Sequence, residues 1–247
     1  MSEPANAWTT GPKAQLDYEK LSQAFVPTTA DEAGIDEANP EIEKELFGAE
    51  LKPAGEALKE LELKVTFEGV NVTELKPVHD FASADLHPVV LQNIKLCKYD
   101  LPTAIQGHCI PALLKENDIV AVSQTGSGKT AAYLIPIVSK LMGRVGKIGG
   151  PRVDTRAADY NPERHKVVAQ PLVVIVCPTR ELAHQIFNEA RRISYRSKLI
   201  PACAYGGTPV KYNVMQLQKG CDILIGTPGR IVDLMDKPHV LSMARVK

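Results

Sequence analysis

One stretch restricts the fold of this chain more than any other: Ser123-Gln124-Thr125-Gly126-Ser127-Gly128-Lys129-Thr130. An apolar run (Ile119, Val120, Ala121, Val122) precedes it, and helix-forming residues follow from Thr130 to Met142. A strand, a glycine-containing loop and a helix N-terminus in that order make a phosphate site. Backbone N–H groups point into the loop, the helix dipole adds about half a positive charge, and Lys129 adds a full one. Thr130 supplies the hydroxyl with which such loops hold Mg²⁺ on the β- and γ-phosphates. The pattern G-x-x-x-x-G-K-[ST] is met except at its first glycine, where Ser123 stands. A Gly/Ser turn with an incidental lysine has no need of that setting. The stretch is read as a nucleotide site.

A chain of 247 residues with 44% hydrophobic content can build a sizeable core in one or two domains. No apolar run approaches the ~18–20 residues of a membrane span, and MSEPANAWTT has neither the basic segment nor the apolar stretch of a secretory signal. The expectation is an intracellular, cytoplasmic protein with no membrane partner. Cys97, Cys109, Cys177, Cys203 and Cys221 are odd in number and never spaced C-x-x-C, which argues against a disulfide framework or a zinc site. Zero net charge hides an asymmetry. Residues 1–80 hold 7 Lys+Arg against 17 Asp+Glu, a net −10, and residues 81–247 hold 22 against 12, a net +10. An acidic arm on a basic domain points to a polyanion partner for the domain.

Residues 1–80 read as that arm. The segment 1–38 lacks large apolar groups and is expected to be disordered. The region 41–63 holds helix formers broken by Gly48, Pro53 and Gly55 and is expected to give short, fraying helices at best, 65–72 alternates as a short strand, and 77–83 reads as a linker. From Leu86 a helical period sets in, a second helix follows at 104–115, and 118–122 is the first buried strand. The polar, basic stretch 143–170 is too long for an ordinary connection and reads as a surface insertion. After it, strands at 172–177, 199–204 and 221–226 alternate with helices at 179–194, 210–219 and 230–235. Repeated β–α units predict an α/β fold, a parallel sheet covered on both faces, with ligands at the carboxyl ends of its strands.

The three later strands run into Pro178-Thr179-Arg180-Glu181-Leu182-Ala183, Gly206-Gly207 and Thr227-Pro228-Gly229-Arg230. Each turn offers open N–H groups near a helix start, with arginines and threonine hydroxyls close by. That equipment suits a row of phosphates. Taken singly, Thr179 and Thr227 are plausible helix caps with Pro228 at the first helical position; three such turns on one rim favour the phosphate reading.

SQTGSGKT, PTRELA, YGG and TPGR, in this order and spacing, resemble the N-terminal RecA-like P-loop domain of a DEAD-box RNA helicase. Tyr99-Asp100-Leu101-Pro102-Thr103-Ala104-Ile105-Gln106 resembles the family's Q motif, and Phe81, 17 residues before Lys98, stands where the family has an isolated aromatic. Departures are Lys98 for glycine, Ala104 for proline and Ser123 for alanine. The resemblance runs from about Phe81 to Lys247, and RRISYRS with the long insertion is most similar to the branch containing Vasa and the translation-initiation helicases.

The resemblance implies the roles. ATP or ADP would sit on Ser123, Gln124, Thr125, Gly126, Ser127, Gly128, Lys129 and Thr130, with Mg²⁺ on Thr130. Phe81, Tyr99, Thr103 and Gln106 would serve the adenine. Pro178, Thr179, Arg180, Gly206, Gly207, Thr227, Pro228, Gly229 and Arg230 would line the RNA backbone path. Glu181, His184 and Gln185 are read as helix-start charge and packing, because the family's catalytic carboxylates lie elsewhere. No Asp-Glu-Ala-Asp occurs in the 247 residues, so no complete catalytic set is expected, and the chain reads as an incomplete first domain at 81–247. The leading expectation is an RNA-dependent ATPase and helicase family member. The alternative is a non-catalytic nucleotide- or RNA-binding fragment or regulator, with protein partners reached through the acidic arm. A different P-loop enzyme, such as a kinase, would leave PTRELA, GG and TPGR without a job.

Overall fold

The protein is described by a computed structural model covering residues 37–48, 66, 68, 69, 75–142, 144–155 and 157–246. The strand expected at 65–72 and the disorder expected of 1–38 lie almost wholly outside these residues. Three parallel strands form the sheet: β1 (Val173–Val176), β2 (Pro201–Ala204) and β3 (Ile223–Gly226), in the order β1-β3-β2. Val173 and Pro201 both register on Ile223, so the carboxyl ends of all three strands finish level.

Successive side chains of a strand point to opposite faces, and both faces here are apolar. Ile223 and Ile225 join one core with Val90, Ile94, Ile110, Leu134, Ile135 and Phe187. Leu224 joins another with Ala202, Leu217, Leu234, Val240 and Leu241. The first face is covered by α2 (Pro88–Leu96), α3 (Ala104–Leu114), α4 (Lys129–Leu141) and α6 (Arg180–Ile193), the second by α7 (Val210–Leu217) and α8 (Pro228–Met235). That is the doubly covered sheet the β–α alternation predicts, with element ends shifted by one or two residues.

The sequence reading fails at 118–122. These residues are not a strand, and Val120 and Val122 are 96% and 93% exposed. Among the described residues no neighbouring strand takes their backbone hydrogen bonds, and a β-branched run alone does not hold an extended conformation. The phosphate loop is therefore carried by its helix, α4, and by contacts from α3, not by a sheet strand.

Two segments read as peripheral are packed. Within the acidic arm, α1 (Pro40–Phe47) is a helix capped by Asn39, whose Oδ1 accepts from the Glu41 and Ile42 amides. It lies on the C-terminal end of α6. The Tyr195 hydroxyl accepts from the Asn39 amide at 2.8 Å and donates to Glu43, Arg191 pairs with Glu45 at 3.0 Å, and the Phe47 ring meets Tyr195 edge-on. The 77–83 linker is folded as well: Phe81 opens a 3₁₀ turn (Phe81–Ser83) and is buried in the first core.

The insertion at 143–170 carries a short helix, α5 (Val145–Ile148), and is sewn to the amino ends of β2 and β3. The Val153, Val167 and Ala169 amides donate to the Lys219, Gln218 and Val240 carbonyls. Arg152 donates to the Lys198 carbonyl and pairs with buried Asp222, whose other oxygen accepts from the Ile200 amide. Burial pushes the Asp222 carboxyl up, and Arg152 opposes that shift. Asp222 anchors the end of the sheet opposite the functional loops.

Candidate nucleotide and nucleic-acid surfaces

The phosphate loop turns through two left-handed glycines, Gly126 at φ 82° and Gly128 at φ 86°. A side chain at either position would be strained. Gly128 caps α4, which places Lys129 and Thr130 at the helix start where the dipole is positive. Lys129 is folded into its own loop: Nζ donates to the Ser123 carbonyl at 2.6 Å, the Gln124 carbonyl at 2.7 Å and Ser123 Oγ at 3.3 Å. The Ser123 and Ser127 hydroxyls bond to each other at 2.6 Å, and the Tyr133 phenol, which burial pushes up to about 12, is hydrogen-bonded to Thr130.

The Q-motif residues brace this loop from α3. Thr103 Oγ1 donates to the Ser127 carbonyl at 2.7 Å. Gln106 is buried, and its amide is engaged at both ends: Oε1 accepts from the Thr103 amide and Nε2 donates to the Gly128 carbonyl. Phe81 packs inside the core, and Tyr99 donates its hydroxyl to Glu189 on α6 at 2.5 Å. Thr103, Gln106 and the phosphate loop thus come together. Phe81 and Tyr99 face other protein groups instead of an open base site.

The rim is a second, separate cluster. Pro178, Thr179, Arg180, Glu181, Gly206, Thr227, Gly229 and Arg230 line an open groove of about 480 Å³ at the carboxyl ends of the strands. Thr179 caps α6 by accepting from the Leu182 amide at 3.2 Å. Thr227 does not cap its helix; its hydroxyl accepts from the Gly206 amide and ties the two loops together. Gly207, at φ 80°, sits beneath the exposed Arg180 guanidinium, which occupies the space a β-carbon would need. Pro228 is exposed at the start of α8.

Arg230, expected on the RNA backbone path, lines the groove with a side chain only 9% exposed. It donates to Asn213 Oδ1 and, at 2.9 Å, to the Thr208 carbonyl, with Asp233 3.7 Å away. The guanidinium is committed to holding the Gly206–Thr208 loop, and Arg180 is the arginine presented to the groove. Asn213 completes the support by donating to the Cys203 carbonyl at the end of β2. Sequence reasoning missed Asn213 because a lone polar residue within a helix carries no signal of its partner.

The remaining chemistry on the surface is sparse. Burial and the nearby Arg191 hold His184 below the ordinary imidazole range, so it is a neutral packing residue. All five cysteines are reduced and buried, and burial raises every thiol for which a shift is seen. Among the described residues no three His, Cys, Asp or Glu side chains gather as a metal site, and no helix is long and apolar enough to cross a membrane.

Comparison with known proteins gives the family. The family model described as DEAD/DEAH box helicase matches residues 103–247, which takes in the Q-motif helix, the phosphate loop and all three rim turns. Among solved structures, the chain is similar to a DEAD box protein from the hyperthermophile Methanococcus jannaschii, 29% identical with a TM-score of 0.53. The match covers 69% of this chain and 40% of that one, so this sequence spans well under half of its relative's length. The sheet, its doubly covered faces and the order of its loops are those of an N-terminal RecA-like domain, and the chain belongs to the DEAD/DEAH box helicase family.

Proposed function

We propose that this chain binds an adenine nucleotide with Mg²⁺ on the loop 123–130 and a single-stranded RNA backbone along the 178–181, 206–207 and 227–229 rim. As part of a DEAD-box protein it would serve RNA-dependent ATP hydrolysis. One observation carries the reading: the phosphate loop, at a helix start with two left-handed glycines, already places a lysine ammonium among three oxygens. A nucleotide phosphate offers that ammonium stronger, charged acceptors than neutral carbonyls do. Thr130 is the residue that would hold Mg²⁺; the metal would supply charge on the β- and γ-oxygens, and Thr103 and Gln106 would keep the loop in register beside it. On the rim, Arg180, Thr179, Gly207, Thr227 and Gly229 would meet phosphates through side-chain and open backbone donors, with Arg230 and Asn213 holding their loops.

Calorimetry with Mg·ADP tests the reading. Lys129→Ala removes the loop's full positive charge, a loss on the order of 1.5–3 kcal/mol per charge-assisted contact, and binding should fall by at least tenfold. Equal ADP affinity in both proteins would refute the assignment.

A further inference from the structure

The turn ahead of the Q motif closes α2 with a left-handed cap, its Lys98 and Tyr99 amides donating to the Lys95 and Ile94 carbonyls, and a chain of side chains adds to that hold. Lys98 lies at φ 59°, a left-handed conformation that a residue with a β-carbon adopts only at a cost. The next residue, Tyr99, is half-buried and donates its hydroxyl to Glu189 Oε1 at 2.5 Å. The other Glu189 oxygen pairs with Arg192 at 3.4 Å, and Arg192 Nε donates to the Leu46 carbonyl at 2.8 Å. Leu46 belongs to α1, the helix of the acidic arm that docks on Tyr195 and Arg191. At the other end, the loop leads four residues on to Thr103, whose hydroxyl holds the Ser127 carbonyl of the phosphate loop. A hydrogen-bonded path thus runs from residue 46 to residue 127, through two groups with limited exposure, Arg192 at 23% and Glu189 at 13%.

We propose that α1 is a positioning element for the nucleotide loop: through Arg192, Glu189 and Tyr99 it holds the strained 98–103 turn, and so Thr103, in the geometry that braces the phosphate loop. The proposal rests on the nucleotide reading above for its effect on affinity, though not for its effect on the turn. Tyr99, Glu189 and Arg192 act here as positioning residues, through Thr103. Burial and the Glu189 carboxylate raise the Tyr99 phenol far above its ordinary value, so it remains a proton donor throughout the accessible pH range. Severing the path leaves the left-handed Lys98 cap to its backbone bonds alone, and its conformational cost then lets the turn open more often. Spatial contiguity alone does not establish coupling, so the test is a cycle.

Three variants of the full 247-residue chain break the path at different points: Tyr99→Phe, Arg192→Gln, and the helix-releasing pair Glu45→Ala/Phe47→Ala. Amide hydrogen exchange at residues 98–103, read against 105–114 as the internal reference and without nucleotide, should quicken in all three. Mg·ADP affinity should fall about 3–10-fold in each. Releasing the helix in the Tyr99→Phe background should add nothing further, because the path is already broken. Lys98→Gly, which removes the strain, should restore affinity in the released variant. Independent, multiplying effects, or exchange at 98–103 that stays at the wild-type rate in all three variants, would overturn the relay. If wild-type protein bound no Mg·ADP while exchange changed as stated, the nucleotide reading would fall and the holding of the turn by α1 would stand.

Discussion

The commitment of Arg230 to the protein interior can be tested directly. In Arg230→Ala the Thr208 carbonyl and Asn213 Oδ1, both on buried residues, lose a charged donor. A buried acceptor left without a partner costs about 1–3 kcal/mol, so two predict a loss on the order of 2–4 kcal/mol once partial access of water is allowed. The pair with solvent-facing Asp233 is left out, since exposed pairs contribute little. Asn213→Ala removes the same junction from the other side without touching any rim cation. Urea unfolding should therefore show a large fall in midpoint for each variant alone. The double variant should be little worse than either, the mark of residues that share one interaction. RNA binding should weaken in Asn213→Ala as it does in Arg230→Ala, because both release the Gly206–Thr208 loop. The opposite pattern would refute the reasoning: an unchanged urea midpoint in Arg230→Ala, normal RNA binding in Asn213→Ala, and a salt dependence reduced by about 0.7 per lost phosphate contact.

Arg180 should behave in that second way. Arg180→Ala is expected to leave stability nearly unchanged and to flatten the slope of log K against log salt for single-stranded RNA by about 0.7, measured by fluorescence anisotropy; an unaltered slope would place the RNA elsewhere. Gln106→Ala should narrow any preference for ATP over GTP in competition binding, since a site built to hydrogen-bond one base edge leaves groups unpaired against another. Wild-type protein with equal affinity for both nucleotides would remove Gln106 from base selection and leave it as a brace for Gly128. His184 and His87, both held below the ordinary imidazole range chiefly by burial, resist protonation in the folded chain. Their contribution to stability is present above the unfolded pKa of about 6.5 and is lost as pH falls below it. His184→Gln should flatten the drop in urea midpoint between pH 7.5 and 5, and an identical drop in both proteins would remove His184 as a cause.

Much of the architecture was legible because it is written locally. The β–α alternation from residue 172 onward, the cap at Thr179 and the turn glycines each follow from a few neighbouring residues. Ile223 and Ile225 on one face with Leu224 on the other made the doubly covered sheet readable as a continuous apolar run. The residues around 118–122 misled because strand formation depends on a neighbour, and apolar content reports only what a segment could join. The burial of Arg230 was not legible for a related reason: an arginine in a turn is exposed unless something distant buries it, and Asn213 lies 17 residues away. A short helix here was expected from its helix formers, but its docking depends on Tyr195 and Arg191, roughly 150 positions later in the chain, on which its acids are spent. In the insertion, basic residues suggested a solvated surface, whereas Arg152 is the counter-charge of Asp222.

On the proposed reading, the folded-back Lys129 makes nucleotide binding a competition within one molecule. A phosphate arriving at the loop must win the ammonium from the Ser123 and Gln124 carbonyls. The dissociation constant observed is then the intrinsic one divided by the fraction of molecules whose lysine is already free. Changes far from the phosphates can alter affinity through that fraction alone. A variant that weakened only the grip of the Ser123 and Gln124 carbonyls on the ammonium, with the Thr103 and Gln106 braces intact, would bind more tightly without gaining a contact.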